Sequence, residues 1–314
     1  MLKVQIQIVT WNSKPYLERL FLGINRQQGV DFSARGGPAF GWNVIVIDNA
    51  SNDGTVEWIE ERFSVIPAKA GIQESSATNP GSRVKPGMTI KLIRNNENRG
   101  FAAAHNQGFA VCEAPYVLVL NPDTELQAGY LEEVLRIMEG TVPLTLTLSQ
   151  RERGLPGASI AAVQGKLYRQ LPEGEKYGII DSCGLKMKPY GQVVDIGQNQ
   201  PDKGNFEAQG EVFGATGACA FYRLEALHQV ADKHGIFDER FGSYKEDVDL
   251  AWRLNKAGWK AVFTPKATAW HGRRVGRGDS RSLRIRFLSL RNHLLMLLKN
   301  VKVQNPNAKS RSND

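Results

Sequence analysis

The sequence predicts an α/β fold in which a mostly parallel central sheet is flanked by helices. Two observations support this. Short apolar, β-branched runs recur through the first 140 residues, and each is followed by polar turn residues and a helical pattern. With 41% hydrophobic and 23% charged residues in a chain of 314, there is enough apolar surface for a large core. A disordered chain is therefore excluded.

The first two β-α units follow this pattern closely. A strand at residues 4–10 leads to a helix starting near Pro15, because proline suits a first helical position. A second strand at residues 44–48 leads to a helix that follows residues 52–55. The first helix is expected to bury apolar residues that recur at helical spacing: Tyr16, Leu17, Leu20, Phe21 and Ile24.

Two further units complete the first half of the chain. A strand at residues 90–94 precedes a helix at 100–111, and a strand at 116–120 is so apolar that we expect it in the centre of the sheet. Beyond them, residues 160–167 predict another strand and residues 235–258 a helical region.

Two segments interrupt the alternation. Residues 64–89 and 141–157 are rich in Pro, Gly, Ser and Thr and have no sustained period, so we interpret them as surface insertions. An active-site lid is the alternative. Loops between a helix and its following strand lie opposite the ligand crevice of an open sheet, which favours the insertion.

Charge is concentrated at the end of the chain. From Ala251 onward there are 15 lysines and arginines against two acidic residues, whereas the first 250 residues hold 25 against 30. A basic end predicts an anionic partner, and nucleic acid, phospholipid headgroups and a diphosphate-bearing substrate all fit.

The sequence also predicts a cytoplasmic protein. The N-terminus alternates like a strand and lacks the apolar core of a signal peptide, and no run approaches the length needed to cross a bilayer. Cys112, Cys183 and Cys219 form no CxxC pair and leave one cysteine over, which suits a reducing compartment.

Three groups of polar residues are candidate site residues. Asp48 ends a strand, where open α/β sheets bind ligands, so a ligand contact is favoured for it. Asp53 fits a ligand contact and a helix cap equally well. Asn121 and Asp123 follow the most apolar strand and suit Mg²⁺ or Mn²⁺ held with substrate phosphates, although Asn-Pro-Asp is also ordinary turn chemistry.

The third group opens a helix. Glu246, Asp247 and Asp249 lie in a predicted first turn, where acidic residues complement the helix dipole without any chemistry. Leu250 and Leu254 give the same helix an apolar face, so part of the acidic turn is expected to lie against the body. A carboxylate held there could remove a proton from an attacking hydroxyl.

Seven ordered segments resemble those of bacterial family 2 glycosyltransferases, in particular the rhamnosyltransferase-like branch: VTWN, VIDNASNDGT, NNENRGFAAAHNQG, LNPDTEL, GATGACAFYR, FDERFGSYKEDVDLAWRLNKAGWKA and AWHG. The resemblance implies the GT-A fold of nucleotide-diphospho-sugar transferases over residues 1–270. It implies a nucleotide-binding half at 1–125, an acceptor-side half at 158–270 and a basic C-terminal helical extension and tail at 271–314.

The resemblance also assigns roles to single residues. It implies a nucleotide-binding set, a metal site for Mg²⁺ or Mn²⁺ at Asp123 and His271, and a catalytic base at Asp247 with Glu246 beside it. The nucleotide-binding set comprises Thr10, Asn12, Asp48, Asn49, Asp53, Asn98, Gly100, Asn106 and Asn121.

The function that the resemblance implies is an inverting sugar transfer. The favoured donor is dTDP-rhamnose, and the acceptor is a hydroxyl of a growing, lipid-linked cell-surface glycan. A UDP-hexose donor, an inactive family member and a basic binding protein remain alternatives. Nucleic acid is not expected as a partner, because the chain lacks a recognised nucleic-acid motif and interleaved exposed aromatic residues.

The final helix has two possible roles. Basic residues interleave with an apolar stripe, as in a helix at the inner face of the cytoplasmic membrane that meets anionic lipid. Packing of that stripe onto the domain is equally compatible with the pattern. The basic residues are Arg281, Arg284, Arg286 and Arg291, and the stripe is Leu283, Phe287, Leu290, Leu294 and Leu297.

Overall fold

A computed structural model describes residues 2–27, 41–67, 89–140, 160–169, 178–272 and 283–300. The strands are β1 (Leu2–Thr10), β2 (Gly41–Asp48), β3 (Ser64–Pro67), β4 (Thr89–Arg94), β5 (Tyr116–Leu120), β6 (Thr124–Leu126), β7 (Ile160–Arg169), β8 (Ile179–Ser182), β9 (Leu185–Met187), β10 (Val193–Asp195), β11 (Gly210–Val212), β12 (Cys219–Arg223) and β13 (Lys260–His271). The helices are α1 (Lys14–Asn25), α2 (Thr55–Arg62), α3 (Gly100–Ala110), α4 (Tyr130–Met138), α5 (Leu224–Val230), α6 (Glu246–Lys256) and α7 (Leu283–Asn300).

The predicted parallel sheet is present. Eleven strands form one sheet with the order β11-β13-β7-β12-β5-β1-β2-β4-β3, while β6 pairs with β13 and β8 with β7. The five strands from β3 to β5 in that order are all parallel. Their C-terminal ends, including Thr10, Asp48 and Leu120, therefore lie along one edge, which is where a site is expected.

The two halves implied by the resemblance share this sheet. Strand β12 runs antiparallel between β5 and β7, with Cys219 opposite Leu120, so residues 214–218 reach the same edge as the end of β5. Strand β13 runs parallel to β7 and ends at His271, which pairs with Thr124 of β6. The core is therefore continuous across both halves.

Helix α1 begins at Lys14, next to Pro15, as predicted. It buries the expected stripe with one exception, since Tyr16 is 42% exposed on the outer face. Trp58 and Phe63 pack against Phe21, which ties α2 to α1.

The first insertion is shorter than predicted. Residues 64–67 form the edge strand β3, because Val65 and Ile66 continue the parallel ladder onto β4 and Val65 packs against the core. Residues 68–88 and 141–157 lie outside the described residues.

Helix α7 packs on the body, and among its described side chains only Leu297 of the predicted stripe takes part in that packing. Phe287, Leu290 and Leu294 are 70%, 58% and 53% exposed, and the buried face instead carries Asn292 and Met296. Arg281 and the side chains of residues 283–286 lie outside the described part of the chain. No helix in the described residues has the length and hydropathy to cross a membrane.

Candidate functional site

The loop after β2 is built on Asp48. Its carboxylate accepts hydrogen bonds from the Thr10 hydroxyl at 2.8 Å and from the hydroxyl and N–H of Ser51 at 2.6 and 2.9 Å. The residue is only 2% exposed. Asp48 therefore fixes the shape of this loop. A direct contact between its carboxylate and the nucleotide stays a prediction.

Asp53 acts as a cap in the structure. Its two carboxylate oxygens accept the N–H groups of Thr55 and Lys14 at 3.0 and 3.1 Å, so one side chain serves the first turns of both α2 and α1. Burial alone would raise its pKa, but the hydrogen bonds from Thr55 and Lys14 outweigh burial and lower the pKa. Of its two predicted roles, the structure supports the cap.

Asn12 and Asn49 join neighbouring loops at the strand edge. Asn12 has a φ of 50°, and its side-chain oxygen accepts the Asn52 N–H at 2.9 Å. The Asn49 amide donates to the Gly100 carbonyl at 3.2 Å, which ties the end of β2 to the start of α3. Both residues lie where the resemblance predicts the nucleotide pocket.

Gly100 allows close approach of α3 to the loop before α6. Its φ is +80°, and a Cβ on it would lie 3.0 Å from the Gly242 carbonyl oxygen. That same oxygen accepts the Ala102 N–H at 3.0 Å, while the exposed Asn98 accepts the Gly100 N–H at 2.9 Å. The nucleotide-side loops therefore touch the segment that carries Asp247.

Asn106 ties α3 to residues 237–239. Its amide nitrogen donates to the Phe237 carbonyl at 2.8 Å and to the Glu239 carboxylate at 3.1 Å, and its oxygen accepts the Phe237 N–H at 3.0 Å. Both ends of the amide are engaged by residues 237–239. Asn106 therefore clamps this loop, and its place in the nucleotide-binding set stays a prediction.

Asp247 is held in place by two backbone groups. One carboxylate oxygen accepts the Gly217 N–H at 3.0 Å, and the other accepts the Val248 N–H at 2.8 Å. The side chain is half-buried. Gly217 precedes β12, which begins beside Leu120, so this carboxylate lies at the strand edge and not on a remote surface.

The turn before Asp247 is strained and is held by α7. Tyr244 and Lys245 have φ values of 73° and 76°, a region that non-glycine residues rarely adopt. The amide of the buried Asn292 donates to the carbonyls of Phe241, Ser243 and Tyr244 at 2.8, 2.9 and 2.8 Å. No local sequence pattern identifies Asn292, because its hydrogen-bond partners lie about fifty residues away in the chain.

Glu246 is a buried acid beside the half-buried Asp247. It is 6% exposed, and its Oε2 has no hydrogen-bond partner among the described residues. Burial raises its pKa well above the usual range, and the neighbouring Asp247 charge raises it further. The surroundings of Glu246 therefore favour its protonated form.

This protonation predicts a pH effect on stability. Because the folded pKa of Glu246 lies above its unfolded value, stability falls as pH rises from about 4.3, by at most about 1.4 kcal/mol per pH unit. Glu246→Gln carries a neutral side chain at every pH. In this variant the unfolding free energy, measured with urea between pH 5 and 8, should therefore fall less steeply as pH rises than in wild type. The exposed Glu225→Gln on α5 is the matched control. Parallel stability curves for wild type and Glu246→Gln would contradict a raised pKa.

His271 lies between two carboxylates at the end of β13. Its Nδ1 is 2.7 Å from Asp181, its Nε2 is 3.3 Å from Asp123, and Arg169 contacts Asp181 at 3.1 Å. Burial would lower the pKa of this imidazole, but Asp123 and Asp181 outweigh burial and raise it to about 9. Asp181 was missed from sequence, because it lies ninety residues from His271 in an unremarkable strand.

The Asp123–His271 pair fits a divalent cation. An imidazole whose Nδ1 is oriented by a carboxylate is the usual arrangement of a metal-binding histidine, and Asp123 retains 26% side-chain exposure. Mg²⁺ and Mn²⁺ need few protein ligands when substrate phosphates supply the rest. No cluster of three or more His, Cys, Asp or Glu side chains suited to a metal occurs in the described residues, so the pair is a partial ligand set.

Two of the three predicted groups are joined by a short backbone segment. The Asn121 N–H donates to the Ala218 carbonyl at 2.9 Å, and the Asn121 amide lies 3.4 Å from His271 Nε2. Gly217, next to Ala218, binds Asp247. The candidate metal pair and the candidate base are thus linked through one short backbone segment at the strand edge.

Two glycines, Gly214 and Gly217, lie in the segment before β12. A Cβ on Gly214 would lie 2.4 Å from the Ala251 Cβ, so this glycine allows close packing of α6. A Cβ on Gly217 would make ordinary contacts with Phe101 and Asp247, and the contribution of Gly217 is its N–H. Tight packing therefore explains Gly214, and a hydrogen bond to the site explains Gly217.

This sheet order, with Asp247 and the Asp123–His271 pair at one strand edge, is that of a GT-A fold. The sequence profile described as glycosyl transferase family 2 matches residues 6–231, and that of glycosyl transferase family group 2 matches residues 203–289. The chain belongs to glycosyl transferase family 2.

Individual relatives agree with this assignment. The chain is 25% identical over 280 residues to an N-acetylglucosaminyl-diphospho-decaprenol L-rhamnosyltransferase of Mycobacterium tuberculosis, covering 84% of this chain and 74% of that protein. The structure of GalNAc-T7 with UDP, GalNAc and Mn²⁺ has a TM-score of 0.58 at 13% identity, covering 95% of this chain and 48% of that one.

A second solved structure has the same fold. A mannosyltransferase from Pyrobaculum calidifontis with GDP-Man and Mn²⁺ gives a TM-score of 0.54 at 16% identity, covering 96% of this chain and 65% of that one. This chain therefore spans about half to two thirds of the length of these two structural neighbours. Both likenesses establish the fold alone.

Proposed function

We propose that this protein is an inverting, metal-dependent glycosyltransferase that moves rhamnose from dTDP-rhamnose to a hydroxyl of a lipid-linked cell-surface glycan. The observation that carries the proposal is the joining of Asp247, through Gly217 and Asn121, to the Asp123–His271 pair. A base and a cation site at one edge are the two groups that such a transfer requires. The choice of rhamnose is supported by the similarity to the mycobacterial rhamnosyltransferase.

Asp247 supplies the proton chemistry. In an inverting transfer the acceptor hydroxyl attacks the anomeric carbon from the face opposite the leaving nucleotide, so one carboxylate base suffices and no protein nucleophile is needed. The Gly217 and Val248 N–H groups fix the orientation of this carboxylate. Glu246 beside it is buried, so Asp247 is the more exposed carboxyl group of the two.

Asp123 and His271 serve the leaving group. A divalent cation, when bound, neutralises the charge that grows on the departing diphosphate. Asp123 would hold it with one carboxylate and His271 with Nε2. Asp181 orients the imidazole through Nδ1 at 2.7 Å, and Arg169 in turn fixes Asp181.

The location follows from the proposed acceptor. A lipid-linked glycan is held at a membrane, so the enzyme would work in the cytoplasm at the inner face of the cytoplasmic membrane. The basic balance from Ala251 onward, 15 lysines and arginines against two acids, supports contact with an anionic surface.

A thermal-shift screen tests the donor and the cation together. The protein is heated with dTDP-, UDP- or GDP-sugars, with and without Mn²⁺, because a ligand specific to the folded state stabilises it by about 2.7 kcal/mol at a hundred times its Kd. We expect the largest shift with dTDP-rhamnose and Mn²⁺. Asp123→Ala should lose the increment due to Mn²⁺, and the exposed Glu225→Gln should keep it.

Each outcome of the screen has a defined meaning. A larger shift with UDP-hexoses would replace the rhamnose donor with the alternative donor class. Nucleotide binding without any sugar transfer would identify an inactive member of the family. An equal Mn²⁺ increment in wild type and Asp123→Ala would contradict the proposed metal site.

A further inference from the structure

The described part of α7 has an unusual distribution of side chains. The face packed on the body is polar in two of its three fully buried positions, Asn292 and Asn300, with Met296 between them. The outer face is apolar: Phe287, Leu290, Leu294 and Leu298 are 70%, 58%, 53% and 79% exposed. A helix on a globular protein normally has the opposite arrangement, with its apolar stripe inward.

The four outward side chains, which we call the outer stripe, form one continuous line. They recur at intervals of three or four residues, so they share one face over about 17 Å of helix. Tyr190, which is 99% exposed, lies close to the same end of α7, because a Cβ on its neighbour Gly191 would be 2.6 Å from Leu297. An exposed apolar line of this length indicates an interaction surface.

The inner face explains why the outer stripe stays exposed. Lys299 bridges the buried Asp238 and Asp249 at 2.7 and 3.0 Å, and the Asn300 amide donates to Asp249 at 2.8 Å. These polar contacts fix the rotation of α7 about its axis. The outer stripe therefore cannot turn inward without breaking them.

Charge identifies the occupant. Besides the inward-facing Lys299, residues 283–314 contain six lysines and arginines and a single acidic residue, and the exposed Arg291 lies beside the outer stripe on α7. A second copy of the chain would bring two basic surfaces together, which disfavours self-association. The flanking residues 273–282 and 301–314 offer Val275, Val301 and Val303 as their largest apolar side chains, too few to cover the stripe.

We infer that the outer stripe of α7 docks onto the surface of a bilayer that contains anionic phospholipid, with the helix lying in the plane of the interface. Apolar side chains enter the boundary between headgroups and acyl chains, while basic groups meet the headgroups. The inference deepens the proposed function by naming the surface that meets the membrane. Because α7 also holds the turn before Asp247 through Asn292, docking places that turn close to the lipid surface.

Vesicle flotation of the full chain tests the inference. We expect binding to phosphatidylglycerol-containing vesicles, weaker binding to pure phosphatidylcholine, and a loss of binding as salt rises. Leu290→Glu and Leu294→Glu should each lower the partition coefficient by at least about tenfold. Leu22→Glu is the matched control, since Leu22 is 48% exposed on α1 and should leave binding unchanged.

Several results would overturn the inference. Wild-type protein that stays unbound with every vesicle, or an equal loss with Leu22→Glu, would exclude a lipid-binding role for the outer stripe. A dimer in lipid-free solution that Leu294→Glu converts to a monomer would assign the stripe to a second copy. Unfolding midpoints of the variants show whether each is folded. Flotation needs no turnover, so vesicle binding by a catalytically inactive protein would refute the proposed function and leave the docking surface standing.

Discussion

Asp247→Asn is expected to lower the rate of sugar transfer by about 10²–10⁴-fold, the range typical for loss of a general base. The amide keeps the size of the carboxylate, and its oxygen can still accept the Gly217 N–H that now lies 3.0 Å from Asp247. It cannot take a proton from the acceptor hydroxyl. The measurement is the initial rate of nucleoside diphosphate release with the donor that gives the largest thermal shift.

Two comparisons make this result specific. Glu225→Gln removes the same charge from the first turn of another helix, α5, and should keep the wild-type rate. The thermal shift of Asp247→Asn with donor and Mn²⁺ should match wild type, because the substitution leaves Asp123 and His271 in place. A wild-type rate in Asp247→Asn would mean that another group removes the proton.

Lys299→Met is expected to lower the free energy of unfolding by about 1.5–3 kcal/mol, the usual contribution of hydrogen bonds to charged groups. The Lys299 ammonium group lies 2.7 Å from Asp238 and 3.0 Å from both Asp249 and Asp232. Asp238 and Asp249 are both fully buried. After the substitution each carboxylate would still form an ion pair with one arginine, Asp238 with Arg240 and Asp249 with Arg253. Urea unfolding at pH 7 measures the loss.

The pH dependence of this loss supplies an internal check. Burial raises the pKa of Asp238, but hydrogen bonds from Arg240 and Lys299 outweigh burial and hold the pKa well below its usual range. The stability that this carboxylate contributes is therefore present above about pH 4 and is lost as pH falls further. The difference in unfolding free energy between wild type and Lys299→Met should therefore become smaller at acidic pH.

A matched lysine completes the experiment. Lys186→Met removes an exposed charge from β9 and should change the unfolding free energy by at most about 0.5 kcal/mol. A similar small effect for Lys299→Met would mean that the ion-pair cluster beneath α7 contributes little. In that case α7 would be held mainly by Asn292 and by the packing of Met296.

Local spacing predicted most of the parallel half of the sheet. The strand at residues 116–120 has the predicted bounds, and α1 begins where Pro15 indicates. The prediction of a long first insertion failed at β3, because four residues with two apolar side chains are too short a pattern to separate an edge strand from a loop. The stripe on α7 was recognised, but its periodicity could not say which way it faces.

The candidate site was predicted less completely than the fold. Asp123, His271 and Asp247 lie at the edge where open α/β sheets bind ligands, as their motifs implied. Asp53 and Asn106 also lie within the motifs that resemble the family. In the structure, however, the Asp53 side chain caps helices and the Asn106 side chain clamps a loop. Spacing identifies which residue types are available, but the nearest donors in space decide how each carboxylate or amide is used.

The sequence by itself determined the alternation of strands and helices, the family resemblance and the basic end, since each depends on neighbours within a few positions or on composition. The tertiary structure alone decided the partners of His271 and of the Asp247 turn. Asp181 lies 90 positions from His271, and Asn292 about fifty from the carbonyls that it binds. Such hydrogen bonds form only when the sheet and α7 bring distant segments within 3 Å, and no periodicity in the chain records that approach.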